Sequence, residues 1–93
     1  MTRPERTHIP VLDWLAAHKH EPIAVWQIAE ATGVSRPRVR YVLRRLQRLG
    51  YVARTRRAFA ERHWAVTKQW SNDRKVLDDY EWVGALGKMG ELL

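Results

Sequence analysis

The chain has 93 residues and a hydrophobic fraction of 45%, enough for one small domain and too apolar for a disordered tail. It has no cysteine, which excludes a disulfide framework and thiolate metal sites, and no run approaches the roughly 20 apolar residues of a membrane span. The net charge of +7 is concentrated: residues 35–62 carry ten arginines and one acid, Glu61, while residues 1–34 and 63–93 are each net −1.

Residues 1–8 (MTRPERTH) are polar and are expected to be flexible. They lack a signal-peptide apolar core, so a cytoplasmic protein is expected. A helix is predicted from Ile9 to about Lys19, with Pro10 in the first turn and Ile9, Leu12, Leu15 and Ala16 on one face. Pro22 ends that segment. Ile23–Val25 reads as one strand-like rung, and Trp26–Thr32 as a second helix closed by Gly33. Ser35 is a good N-cap for a third helix, Arg36–Leu49, in which Pro37 falls in the tolerant first turn. Val39, Val42, Leu43, Leu46 and Leu49 form one apolar stripe along it. At 100° per residue the opposite side is centred on Pro37, Tyr41, Arg44 and Arg48, flanked by Arg40 and Arg45. Gly50 stops the helix. Tyr51–Arg56 and His63–Thr67 then read as a hairpin whose loop, Arg57–Arg62, is strongly basic. Ser71 or Asn72 opens a last helix to Leu93. Its apolar side carries Val76, Leu77, Tyr80, Val83 and Leu86, and its glycines at 84, 87 and 90 favour either fraying or a close helix approach.

A one-signed block of ten arginines repels itself in the free protein and points to a polyanion, most often nucleic acid. A solubilising surface would mix the signs. A membrane-lying helix would need a large apolar face beside the charge.

The fold class is therefore mainly α with a small β-hairpin: a three-helix core, a two-stranded wing and an extra C-terminal helix. The stretch IAEATGVSRPRVRYVLRRLQRLGYV followed by the hairpin ending HWAVT resembles winged helix-turn-helix regulators of the broad MarR, ArsR and IclR type. Ile28, Ala29, Gly33, Ser35, Val39, Leu43, Leu46, Gly50, Tyr51 and Val52 carry the resemblance, which spans about Ile9 to Trp70. Residues 9–70 are thus expected to form the DNA-binding domain and residues 71–93 a dimerisation helix, with Val76, Leu77, Tyr80, Val83 and Leu86 at the interface.

The resemblance implies a transcriptional repressor that binds double-stranded DNA as a homodimer, with the helix 35–49 in the major groove and the wing 54–63 on the backbone. Arginine is suited to the groove because its guanidinium bonds guanine O6 and N7 bidentately. Arg36, Arg40, Tyr41 and Arg44 are the candidates for base reading. Ser35, Arg38, Arg45, Arg48, Arg54, Arg56, Arg57 and Arg62 are the candidates for backbone contacts, which set register and supply salt-sensitive affinity. A specialised left-handed-duplex reading would require Asn and Tyr where Arg40 and Arg44 stand, and only Trp64 in the wing fits it.

Other chemistries fare worse. His18 and His20 at i, i+2, with no cysteine or carboxylate cluster nearby, make a poor metal ligand set. The five tryptophans are spread along the chain, from Trp14 to Trp82, and are expected in the core rather than on a base-stacking platform. Asp78, Asp79 and Glu81 lack a partner base or metal set and read as a solvated face, or as a partner for another subunit's basic block. With no nucleophile–base pair and no phosphate loop, the chain reads as non-enzymatic, with no cofactor and no evident small-molecule effector. The alternatives are a protein-interaction module on the same fold, or an RNA or replication-origin binder.

Overall fold

The computed structural model describes residues 6–55 and 63–90, the last five as backbone only. In chain order these form α1 (His8–Ala17), α2 (Val25–Thr32), α3 (Arg36–Leu49), β1 (Val52–Thr55), β2 (His63–Val66) and α4 (Asp73–Gly90). The fold is mostly helical with one two-stranded antiparallel sheet, as the sequence pattern predicts.

α1 buries Val11, Leu12 and Leu15 and ends two residues before Lys19, earlier than expected. The cause is local. His18 turns its ring onto Trp14 (centroids 3.8 Å apart, 14° between planes), and its Nδ1–H donates to the Trp14 carbonyl at 2.7 Å. The backbone N–H of His18 closes the turn on Leu15 O at 3.0 Å. The ring that could have served a metal is therefore a helix stop.

Ile23 exchanges backbone hydrogen bonds with Trp64 (N–H to O 2.8 Å, and 2.7 Å in return), adding a third rung to the hairpin. α2 follows at once. Gln27 reaches back to accept the Ala24 N–H at 2.9 Å. The helix closes on Gly33, which sits at φ +73° and donates its N–H to Ala29 O at 2.9 Å. That left-handed position costs an L side chain ~1 kcal/mol or more.

α3 begins and ends where its sequence places it. Val39, Val42, Leu43 and Leu46 are buried as one stripe. Ser35 holds the N-cap position in an extended conformation, but its hydroxyl makes no bond to the helix. Of the two N–H groups a capping oxygen can reach, that of the second helical residue is missing because it is Pro37, and only that of Arg38 is left. Gly50, at φ +86°, ends the helix and turns the chain into the wing.

β1 pairs with β2 in the register Val52↔Val66, Ala53↔Ala65, Arg54↔Trp64 and Thr55↔His63. Asn72 opens α4, its Oδ1 accepting the Arg74 N–H at 3.0 Å and the Lys75 N–H at 3.4 Å. α4 packs on α1 and α3 through Val76 and Tyr80, which are 1% and 3% exposed. Both were expected at a subunit interface. They belong instead to the chain's own core, because α4 turns its apolar side onto α1 and α3.

Two further expectations change. Trp64 and Trp70 are core residues, but Trp26 and Trp82 stand 47% and 64% exposed. The acids of α4 are not a uniformly solvated face. Asp79 accepts a hydrogen bond from the Tyr51 hydroxyl, Asp78 pairs with Arg74 at 3.3 Å, and Glu81 lies 3.6 Å from His8.

Asp73 joins three segments: its Oδ1 lies 2.9 Å from Lys19 Nζ and accepts the Trp70 indole N–H at 2.7 Å. Those two bonds, Lys19 first, hold its carboxyl below the usual 3.8 against the opposing effect of burial. A lowered carboxylate stabilises the fold above pH 3.8, and that contribution is lost as the pH falls through its folded value. Asp73→Asn is therefore expected to lower the melting temperature modestly at pH 7, with the gap to wild type closing below pH 3.8. Thermal melts across pH 2.5–7 (roughly the range over which carboxylates titrate) measure this.

Candidate nucleic-acid interface

The exposed side of α3 divides between two clefts, although its sequence reads as one continuous basic face. Arg36, Arg40 and Arg44 repeat every fourth residue, so they form a row along the helix. This row lines an open cleft whose other walls are Ala24, Val25 and Trp26 from the start of α2 and Arg54 and Trp64 from the wing. Arg54 and Trp64 are directly cross-strand, and the guanidinium lies 5.1 Å from the indole centroid. That cation–π contact holds the wing arginine toward the cleft without neutralising it. Arg36, Arg40 and Arg44 are exposed, and among the described residues none lies within ion-pair distance of a carboxylate. The result is a cationic row backed by aromatic surface, open to solvent on the side away from the core.

Three of the four base-reading candidates thus converge, and Tyr41 does not. Tyr41 is 51% exposed and belongs to the second cleft, with Arg38, Arg45, His8, Tyr80 and Glu81. One helical position separates it from Arg40, which is about 100° of rotation. Among the backbone candidates, Arg54 sits in the first cleft, Arg38 in the second, and Arg48 is exposed in the last turn of α3. Ser35 is exposed at the helix start, close to the row. Arg45 is half-buried against α4. Arg56, Arg57 and Arg62 lie outside the described residues. Of the interface candidates other than Val76 and Tyr80, Leu77 packs partly on the core and Val83 is half-buried. The Leu86 side chain lies outside the described residues.

Trp26 is the site residue that the sequence pattern leaves out. A legible signal existed: Trp26 lies two positions from buried Ile28, about 200° around α2, so it shares the outer face with exposed Glu30. Among the described residues, no cluster of three metal-ligating side chains exists, and no helix is long and apolar enough to cross a membrane.

Comparison with known proteins adds the following. A sequence model of the MarR family matches residues 2–63. No curated protein matches the sequence. The fold is similar to that of MepR, the transcription regulator of the Staphylococcus aureus multidrug efflux pump MepA (TM-score 0.61, 20% identity, covering 94% of this chain and 62% of MepR). It is also similar to MepR in an S. aureus MepR–DNA complex (TM-score 0.60, 20% identity, 95% and 70% covered). A third similar structure is ZitR, a zinc-responsive MarR family member of Lactococcus lactis (TM-score 0.60, 21% identity, 99% and 65% covered). At these identities the likeness is one of fold. The chain spans less than two thirds of the first of these MepR chains and of ZitR.

Proposed function

Because the chain belongs to the MarR family, we propose that it is a transcription regulator, acting as a repressor, that binds duplex DNA with α3 in the major groove and the wing along the backbone. One observation carries this reading. Arg36, Arg40 and Arg44 of α3 meet Arg54 of the wing around a single open cleft. A recognition helix and a wing with that spacing present a contiguous cationic surface, and the major groove is wide enough for one α-helix. Similar folds are found bound to DNA, as in the S. aureus MepR complex. Arg36, Arg40 and Arg44 read base edges from the first cleft and Tyr41 from beside Arg38 in the second; Arg38, Arg48 and Arg54 hold phosphates, as do the remaining wing arginines Arg56, Arg57 and Arg62.

The test is duplex binding over a salt series. Log affinity should fall steeply with log salt, by about 0.9 for each neutralised phosphate. A shallow slope, or no binding at low salt, would sink the reading. Competition with duplex RNA and single strands separates an RNA or origin binder from a duplex-DNA regulator.

The cleft geometry also gives Trp26 a role. Its exposed indole lines the cleft with the arginine row, where it would pack on the sugar–phosphate backbone. Trp26→Ala is expected to weaken duplex binding by about tenfold, ~1.4 kcal/mol. Indole fluorescence should change on adding DNA in the wild type and change much less in Trp26→Phe.

A homodimer completes the reading, since two-fold regulators meet half-sites about one helical turn apart. With Val76 and Tyr80 buried inside the chain, the available surface of α4 centres on Trp82. Sedimentation at micromolar concentration should show a dimer, and Trp82→Glu should shift it to monomer. Truncating α4 would be a poor test, because it removes core residues.

A further inference from the structure

Arg45 differs from every other described arginine of α3 in what surrounds it. Its guanidinium carbon lies 4.9 Å from the Tyr41 ring centroid and 4.5 Å from that of Tyr80. One terminal nitrogen donates to the Tyr41 hydroxyl, and the other lies 3.5 Å from the Tyr80 carbonyl oxygen of α4. Gly84 makes room for this: a Cβ there would stand 2.6 Å from the second nitrogen. Tyr80 is itself fixed, 3% exposed and stacked on His8 at 4.8 Å. The acid in the same cleft, Glu81, lies against His8. Arg45 therefore has two rings and two oxygens as partners, and its fork is directed at α4.

Arg45 sits between two rings with both terminal nitrogens directed at oxygens of its own chain, which leaves little of its fork for a phosphate. It is a good brace. Tyr41 stands 51% exposed on the recognition helix, and its ring and hydroxyl are both engaged by Arg45. The planar fork and flat face of arginine meet all of these partners at once, which the point charge of lysine cannot do.

We propose that Arg45 is a positioning residue: it clamps α3 to α4 and sets Tyr41 in the DNA-binding surface, and it makes no phosphate contact. This rests on the duplex-DNA reading above. It sharpens that reading by giving one arginine of the basic block a role that does not involve charge neutralisation.

The experiment is duplex affinity over a salt series for wild type, Arg45→Ala, Arg45→Lys, Tyr41→Ala, the Arg45→Ala/Tyr41→Ala double variant and Gly84→Ala, each checked for folding by circular dichroism melts. Arg45→Ala should bind about tenfold more weakly with an unchanged salt slope. Arg45→Lys should not restore affinity. The double variant should bind no more weakly than the weaker single variant, within about twofold. Gly84→Ala, which crowds the guanidinium without changing any charge, should weaken binding several-fold, and its melt reads how much of the α3–α4 clamp is lost. A salt slope smaller by about 0.9 in Arg45→Ala would make Arg45 a phosphate contact and overturn the proposal alone. Rescue by lysine, additive losses in the double variant, or wild-type affinity in Gly84→Ala would each overturn it too. A wild-type chain that fails to bind duplex removes the DNA reading and the proposal together.

Discussion

Removing Arg40 and Arg44 together is expected to weaken duplex binding by ~2–6 kcal/mol and to flatten sequence preference at the bases they face. Each bidentate arginine–guanine pair is worth about 1–3 kcal/mol of discrimination, and losses at separate positions roughly add. The two side chains follow each other by one turn on the row that lines the cleft beside Arg54 and Trp26, so neither can substitute for the other. Arg48→Ala provides the contrast. Arg48 is exposed in the last turn of α3, outside the cleft, and its loss should weaken all sequences equally and lower the salt slope by about 0.9. Selection from a random duplex pool, followed by affinity over a salt series, separates the two outcomes. A uniform loss with a reduced slope for the Arg40/Arg44 pair would reassign both to the phosphate backbone.

The elements were legible wherever a period and its punctuation agreed. α3 runs from Arg36 to Leu49 as expected because Pro37 and Gly50 mark its ends and five apolar residues mark its inner side. The two wing segments were legible from their β-branched and aromatic residues, though not their register, and the turn at Gly50 from the need for a left-handed residue. What a one-dimensional pattern could not show was which neighbour each outward residue would meet. Arg44 and Arg45 are adjacent in sequence and equivalent in composition, yet one faces the open cleft and the other the underside of α4. That division depends on where α4 returns, which is a tertiary fact. The reversal of Val76 and Tyr80 from interface to core has the same origin. An amphipathic helix specifies an apolar side, not whether its own domain or a second copy covers it. Trp26 is a different case. Its exposure was readable from the α2 helical angle, and a composition-level expectation that tryptophans are buried overrode it.

Tyr51→Phe is expected to lower stability by about 1.5–3 kcal/mol, the range for a hydrogen bond to a charged group. Tyr51 occupies the junction of three elements. It follows the Gly50 turn, donates its N–H to Leu46 O of α3 at 2.9 Å, and accepts the Thr67 N–H from the far side of the wing at 2.9 Å. Its ring meets Trp70 edge-on, with centroids 6.2 Å apart, and its hydroxyl donates to Asp79 Oδ2 of α4. The side chain is 2% exposed, so phenylalanine keeps the packing and deletes only the hydroxyl. The urea midpoint should fall by about 1–2 M with an unchanged slope. The pH dependence provides an independent check. The hydrogen bond to Asp79, then burial, then the carboxylate charge push the Tyr51 phenol up from 10.0 to about 12. A group whose folded value is raised contributes fully below its unfolded value and loses that contribution as the pH climbs to the folded one. The wild-type advantage over Tyr51→Phe should therefore hold steady up to pH 10 and vanish near pH 12. If the advantage persists undiminished at about pH 12, the Tyr51–Asp79 bond is not what joins the wing to α4.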